Sequence, residues 1–277
     1  MSSQSIKSKS LPSMAEEADK FDCYQKSVQD PEHEIEVFDI AFREVYGKEP
    51  ISLREDFCGT FAVSCEWVKS HKKRWGIAVD ICPNTLQWGV HNNQSKLNPE
   101  ASKRIEVLNQ DVRSNTKRLV HVLAAQNFSF WIFKTRKQVV DYFRIVLQNL
   151  DKQGIVVLDM MGGKECYATD TTEKRTIVKG PKGFKYHWEQ AYFNPITGDC
   201  SFYIHFKFGD GSKMKKAFEY HWRFWTIPEV TEMLAEAGFR KSFAYWDIAP
   251  EDEEAKWEAV NKAPNDDSWL CYIVGVK

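Results

Sequence analysis

An α/β fold, with a doubly wound and mostly parallel sheet carrying an antiparallel β insertion, is predicted by three features of the sequence. Short apolar runs alternate with amphipathic helical segments between residues 51 and 161, the pattern of parallel strands joined by crossover helices. After Gly162-Gly163 the character changes to aromatic runs separated by hairpin-type turns. The chain then closes on a helix followed by two strands with no helix between them. That ending is a hairpin, which sets one strand antiparallel to the rest and differs from a dinucleotide-binding sheet, whose crossovers are helical throughout.

Each element has its own signal. Asp30-Pro31 offers an N-cap ahead of a proline at the first helical position, and Ile35, Phe38, Ala41 and Val45 recur at helical spacing until Gly47, so a lead-in helix is expected there. ISLREDF (51–57) predicts the first strand, 60–70 a helix, WGIAVDI (75–81) the second strand and 83–91 a helix. RIEVLNQDV (104–112) and LVHVLAAQN (119–127) predict strands three and four, 137–150 a helix, and GIVVLDMM (154–161) the fifth strand. In the insertion, FKYHWEQAYF, CSFYIHFKF and KMKKAFEYHWRFW read as strands, with turns at 194–198 and at Gly209-Asp210-Gly211. IPEVTEMLAEAGF is the closing helix; RKSFAYWDI and SWLCYIVGV, on either side of an acidic loop (249–267), complete a seven-stranded sheet.

Composition narrows the function classes. Lys plus Arg number 38 against 39 Asp plus Glu, a net charge of −1, so no global field draws the chain to nucleic acid or anionic lipid. The basic runs 69–74 and 213–216 read as solvated surface or a hairpin tip. The seven cysteines are odd in number and include no C-x-x-C pair, which indicates neither a zinc site nor a disulfide framework and fits a reducing compartment. MSSQSIKSKSLPSM lacks the apolar stretch of a secretory signal, and no later apolar run is long enough to span a bilayer. The expectation is a soluble cytoplasmic protein, monomer or homodimer, with a disordered tail (1–20), a main domain (21–162 and 223–277) and an insertion (163–222) acting as a substrate lid.

In an open α/β sheet, ligands collect beyond the carboxyl ends of the strands, where strand order reverses. Three acids fall at consecutive strand ends: Glu55, beside the turn Asp56-Phe57-Cys58-Gly59-Thr60-Phe61, then Asp80 and Asp111. A turn that admits the ligand to the backbone, a carboxylate for a ribose diol and an acceptor for an adenine amine are what a nucleoside cofactor requires.

The strings LREDFCGT (53–60), AVDICPNTLQWG (78–89), NFSFWIFK (127–134) and YHWRFWTIPE (220–229) resemble those of the class I S-adenosylmethionine-dependent methyltransferases, in particular a bacterial-type subgroup, over nearly the whole chain from Phe21. The resemblance implies a Rossmann-like fold, S-adenosylmethionine as cofactor, S-adenosylhomocysteine as product and methyl transfer as the reaction. It places Glu55 at the first-motif acid, Gly59 at the backbone approach, Asp80 at the ribose, Asp111 and Val112 around the adenine, Asn127 and Phe128 near the transferred methyl, Arg54 at the methionyl carboxylate, and Ile81 among the cofactor-binding residues. The usual motif has three glycines where this chain has Phe57, Gly59 and Phe61; two phenylalanines need space that glycines leave empty, so the cofactor is expected to sit differently or bind weakly. His121 stands where an acid often begins the fourth strand and reads as a core or edge histidine.

Methyl transfer from a sulfonium is an in-line displacement in which the protein contributes proximity, orientation and exclusion of water. An amine nucleophile must arrive deprotonated, and Asn127, Tyr24, His187, His205 and His221 are the candidates near that chemistry. The three histidines lack paired ligand spacing, so no metal is expected. Trp131, Arg223 and Trp225 are the expected pocket residues, within an aromatic insertion whose alternate positions build its own core. The reading is a methyltransferase acting on a small-molecule nitrogen or oxygen; the alternatives are a protein or RNA methyltransferase, a non-catalytic cofactor-binding protein, and a nicotinamide dehydrogenase, the last weakened by the absence of G-x-G-x-x-G after the first strand.

Overall fold

The computed structural model describes residues 11–250 and 253–277. They form two units: the described residues up to Val28 with Thr169–Tyr192 and Ser201–Tyr220, and a larger unit of Gln29–Ala168, Phe193–Cys200 and His221–Lys277. In chain order the elements are α1 (Met14–Glu17), α2 (Lys20–Val28), α3 (Pro31–Tyr46), β1 (Ser52–Asp56), α4 (Ala62–Ser70), β2 (Trp75–Asp80), α5 (Pro83–Asn92), α6 (Pro99–Ser102), β3 (Ile105–Asn109) and β4 (Val120–Ala125). There follow α7 (Arg136–Asn149), β5 (Leu150–Gly162), β6 (Thr171–Val178), β7 (Phe184–Phe193), β8 (Asp199–Phe208), β9 (Lys213–Arg223), α8 (Ile227–Ala237), β10 (Lys241–Asp247), β11 (Trp257–Val260) and β12 (Trp269–Val276).

The larger unit is built on an eight-stranded sheet, order β11-β10-β12-β5-β4-β1-β2-β3. β1 to β5 run parallel, and β12 enters antiparallel between β5 and β10. The predicted doubly wound, mostly parallel fold with its terminal hairpin is therefore present. The eighth strand, β11, lies inside the loop expected to be irregular; Trp257, only 8 % exposed, anchors it to the sheet edge.

Residues in register across neighbouring strands share a face. Leu53, Val122, Ile155 and Val276 form one such row, and Glu55, Ala124, Val157 and Val274 the next. Phe38 and Phe42 of α3 and Trp67 and Val68 of α4 cover these rows in one apolar core. The opposite face carries Arg54 and Asp56, with the Tyr142 hydroxyl of α7 bonded to Asp56.

α3 forms as its sequence predicts. The Asp30 side chain accepts from the His33 N–H, Pro31 occupies the first turn, and Gly47 ends the helix at φ +67°.

In the smaller unit, Cys23 of α2 packs with Phe184, Tyr186, Ile204, Phe206 and Phe208 of the insertion strands. The four-stranded insertion sheet has the order β6-β7-β8-β9. β8 alternates buried and partly exposed positions along most of its length, the period of a half-buried strand. β6 (TTEKRTIV) had no predictive signal because it is a charged edge strand, almost wholly exposed. The described part of the expected tail is not disordered throughout: α1 lies within it, and its Met14 N–H donates to Asp210 at 2.8 Å. Residues 1–10 of that expectation lie outside the described residues.

Candidate active site

The turn after β1 keeps a glycine-type backbone despite its phenylalanines. Phe57, Gly59 and Phe61 have φ of 55°, 54° and 47°, all in the left-handed region that bulky residues rarely adopt. Phe61 is fully buried, and a Cβ on Gly89 of α5 would lie 2.4 Å from its ring; the phenyl group fills the space that the glycine in α5 leaves. Phe57 packs its ring 6.0 Å from Phe133 and 5.8 Å from Tyr142.

The strand-end acids sit around this turn. One Asp80 oxygen accepts the Gly59 N–H at 2.8 Å and the other accepts the Cys82 N–H at 2.8 Å. Glu55 accepts both the backbone N–H and the hydroxyl of Ser64, at 2.8 and 2.5 Å, in the first turn of α4. Burial pushes the Glu55 carboxyl up to about 7, against the pull of those Ser64 bonds. Asp111 pairs with Arg113 at 2.6 Å, and that bond holds its carboxyl below the usual range. Val112 is buried, whereas Ile81, beside Asp80, is 69 % exposed.

Arg54 is not placed for a methionyl carboxylate. It has no exposed surface, and its guanidinium donates to Asp56 at 2.6 Å, to the Val112 carbonyl at 2.6 Å and to the Ser114 carbonyl at 3.0 Å. It ties β1 to the loop after β3.

Asn127 and Phe128 follow β4 in consecutive left-handed conformations, at φ 58° and 55°. Their two N–H groups donate to the two oxygens of Asp159 on β5, at 2.7 and 2.8 Å. Asp159 is 7 % exposed, and burial raises its carboxyl to about 7 against these backbone bonds.

Trp131 and Trp225 are core residues, not walls of an open pocket. Trp131 is 0 % and Trp225 1 % exposed. Trp131 packs 4.7 Å from Phe224 and 6.0 Å from Trp222; the Trp225 indole donates to the Phe133 carbonyl at 3.2 Å. Arg223 lies 3.9 Å over the Trp225 ring and donates to the Lys134 carbonyl at 3.1 Å. Within the smaller unit, Tyr24 packs 4.7 Å from Phe218, and His205 bonds Glu189 at 2.7 Å while accepting the Lys216 N–H. His121 accepts the Ile51 N–H at 3.1 Å, as an edge histidine would.

Two buried acids, Glu34 and Asp159, are not among the residues expected from sequence. Glu34 interrupts the apolar stripe of α3, four residues before Phe38 and seven before Ala41, and Asp159 interrupts the apolar run of β5. An acid at a core position is the signal that marks both.

No protein-family model and no curated protein sequence matches the chain. Solved structures do. A sugar N-methyltransferase from Streptoalloteichus sp. is 14% identical, with 100% of this chain and 98% of that one covered and a TM-score of 0.66. An S-adenosylmethionine-dependent methyltransferase from Clostridium acetobutylicum is 14% identical over 92% of this chain and 96% of that one, with a TM-score of 0.64. An amino pentose methyltransferase from Micromonospora echinaspora, solved with S-adenosylmethionine bound, is 10% identical over 93% and 96%, with a TM-score of 0.66. The chain therefore has the Rossmann-like fold found in these methyltransferases.

Proposed function

We propose that this chain is an S-adenosylmethionine-dependent methyltransferase acting on a small-molecule acceptor. The observation that carries the reading is the contact between Asp80 and the Gly59 N–H, within a turn whose three left-handed positions persist as Phe57, Gly59 and Phe61. Solved proteins of the same fold that are named as methyltransferases of sugars support a small acceptor.

The residues present fit the cofactor. A Cβ built on Gly59 would meet nothing nearer than a Thr85 methyl at 3.8 Å, so the glycine face is open to a ligand. Ile81 is an exposed apolar residue at the edge where an adenine would lie, and the buried Gln110 Nε2 at the end of β3 has no hydrogen-bond partner among the described residues. Asp80 would hold the ribose hydroxyls, with Ile81, Asp111 and Val112 around the adenine and Glu55, Asn127 and Phe128 toward the methionyl end. When bound, the cofactor supplies a methyl group on a positively charged sulfur. The chain's own part is to orient acceptor and donor and to exclude water.

Calorimetric titration with S-adenosylmethionine and with S-adenosylhomocysteine tests this. Micromolar binding is expected, weakened by about tenfold or more in Asp80→Ala, in keeping with about 1.4 kcal/mol for a lost pair of charge-assisted hydrogen bonds. Absence of binding to either compound by the folded wild-type protein overturns the reading.

A further inference from the structure

We propose that the insertion sheet carries a phosphate-binding site where β6, β7 and β8 meet their turns, formed by Lys179, Lys185, Lys207 and Thr176, and that its ligand is a phosphate monoester. The site lies wholly within the smaller unit and goes beyond the methyltransferase reading, on which it does not depend.

Positive charge is concentrated in this part of the chain. The insertion segments Thr169–Tyr192 and Ser201–Tyr220 carry nine Lys and Arg against five Asp and Glu, whereas the whole chain is balanced at 38 against 39. A field too weak to act over the whole molecule is therefore available locally.

Strand register brings the cations together. Thr176 of β6 stands opposite Lys185 of β7. Across the other edge of β7 the Gly209 N–H donates to the Gly183 carbonyl at 3.0 Å, and Lys207 and Lys185 each lie two residues along their strands from that bonded pair. Antiparallel pairing thus sets them side by side. Thr176, Lys185 and Lys207 are exposed on one face, because the alternate residues Phe184, Tyr186, Phe206 and Phe208 are buried with Cys23 on the other. Lys179 joins them from the connection between β6 and β7, and the four residues line a cavity of about 300 Å³, the lower end of the range for small-molecule sites.

Much of the remaining wall is glycine backbone. The connection turns at Gly180, φ +97°, and closes with the Gly183 N–H on the Gly180 carbonyl at 2.9 Å. A Cβ on Gly209 would come 2.1 Å from the Pro181 carbonyl oxygen, so the close approach of the turn to the end of β8 requires glycine there. Bare backbone lets a ligand approach the main chain.

The chemistry that fits is anionic. No carboxylate lines the cavity. The nearby acids are engaged: Glu173 pairs with Arg175 at 3.2 Å, Glu189 bonds His205 at 2.7 Å, and Asp210 accepts the Met14 and Ser212 N–H groups at 2.8 and 2.9 Å. Like charges directly opposite each other on a sheet repel, and an anion between Lys185 and Lys207 turns that repulsion into attraction. A phosphate monoester carries a charge of about −2 at pH 8 and several strong acceptor oxygens, which suits three ammonium groups and a hydroxyl donor. A phosphodiester carries only one negative charge.

The test is calorimetric titration of the whole chain at pH 8 and low salt, in buffer free of phosphate and sulfate. The probes are glycerol 3-phosphate, phosphatidylcholine vesicles containing phosphatidic acid, and oligouridylate. Wild type is expected to bind glycerol 3-phosphate, less tightly as NaCl is raised, and its melting temperature is expected to rise with the ester present. The cavity pair, Lys185→Gln with Lys207→Gln, is expected to weaken binding by about tenfold or more, the size of a lost charge-assisted hydrogen bond. It is expected to melt no lower than wild type without ligand, because it relieves the cross-strand repulsion. The control pair, Lys174→Gln with Lys215→Gln, removes the same charge from the same sheet outside the cavity and is expected to keep wild-type affinity.

Binding of the soluble ester that is lost in the cavity pair alone supports the site and names its ligand as a soluble monoester. The same pattern with the vesicles only assigns the phosphate to a lipid headgroup. Folded wild type that binds neither, or equal loss in both pairs, overturns the inference. So does oligouridylate binding more tightly than glycerol 3-phosphate and weakening equally in both pairs, which assigns the sheet face to a polynucleotide.

Discussion

Arg54 shows how a single residue's role depends on what surrounds it. On an apolar strand beside the cofactor turn it reads as an anion ligand; in the fold its guanidinium is fully buried and bonded to Asp56 and to two carbonyls of the loop after β3. Asp56 receives a further bond from the Tyr142 hydroxyl at 2.9 Å. Removing the cation leaves a buried carboxylate with that hydroxyl as its remaining side-chain donor, so Arg54→Met is expected to destabilise the fold by about 3–5 kcal/mol. Urea unfolding checks this, and the charge-neutral pair Arg54→Met with Asp56→Asn is expected to recover part of the loss. Glu34 is the contrasting case: its buried Oε2 has no hydrogen-bond partner among the described residues.

At the scale of elements, α5 and the turn after β1 fit together through an exchange of size. Phe61 stands where a glycine is usual, and the helix answers with Gly89, where a Cβ would come 2.4 Å from the Phe61 ring and 2.5 Å from the Thr60 carbonyl. Gly89→Ala is therefore expected to destabilise by about 1–3 kcal/mol through overpacking, despite the better helix propensity of alanine. Thermal denaturation reads the sign. Phe61→Ala does not rescue it, because the Thr60 carbonyl remains in the way. From the sequence alone, Phe57 and Phe61 are expected to take up space that the cofactor needs. In the fold both side chains turn into packing, toward Gly89 in one case and toward Phe133 and Tyr142 in the other, while the backbone keeps its left-handed path.

For the whole molecule, the buried acids set a pH dependence. Glu55 and Asp159 ordinarily titrate near 4.5 and 3.8 and are raised to about 7 in the fold. Between those values the native protein keeps protons that the unfolded chain has released. Stability therefore falls as pH rises through this window and levels off above about 7. The midpoint of thermal unfolding is expected to be lower at pH 8 than at pH 5.5, and Glu55→Gln to flatten that slope. A melting temperature that rises steadily from pH 5.5 to pH 8 with the same slope in the variant contradicts this account.

The sequence by itself determined the order of elements, the doubly wound sheet and the terminal hairpin, because periodicity, caps and turn residues are local signals that survive without knowledge of partners. It also marked Glu55 and Asp80 at the ends of β1 and β2, since that follows from where apolar runs stop, whereas Asp111 lies two residues beyond the end of β3. The charged edge strand β6 and the short β11 carried no such signal: β6 is stabilised by pairing with β7, and β11 by Trp257 anchoring it beside β10. Only the tertiary structure decided which acids share a face. Glu55 and Asp159 lie on strands far apart in sequence, and strand register is what puts both on the sheet face that α3 covers. The same dependence turned Trp131 and Trp225 from expected pocket walls into core, because burial of an aromatic side chain is decided by its neighbours in space.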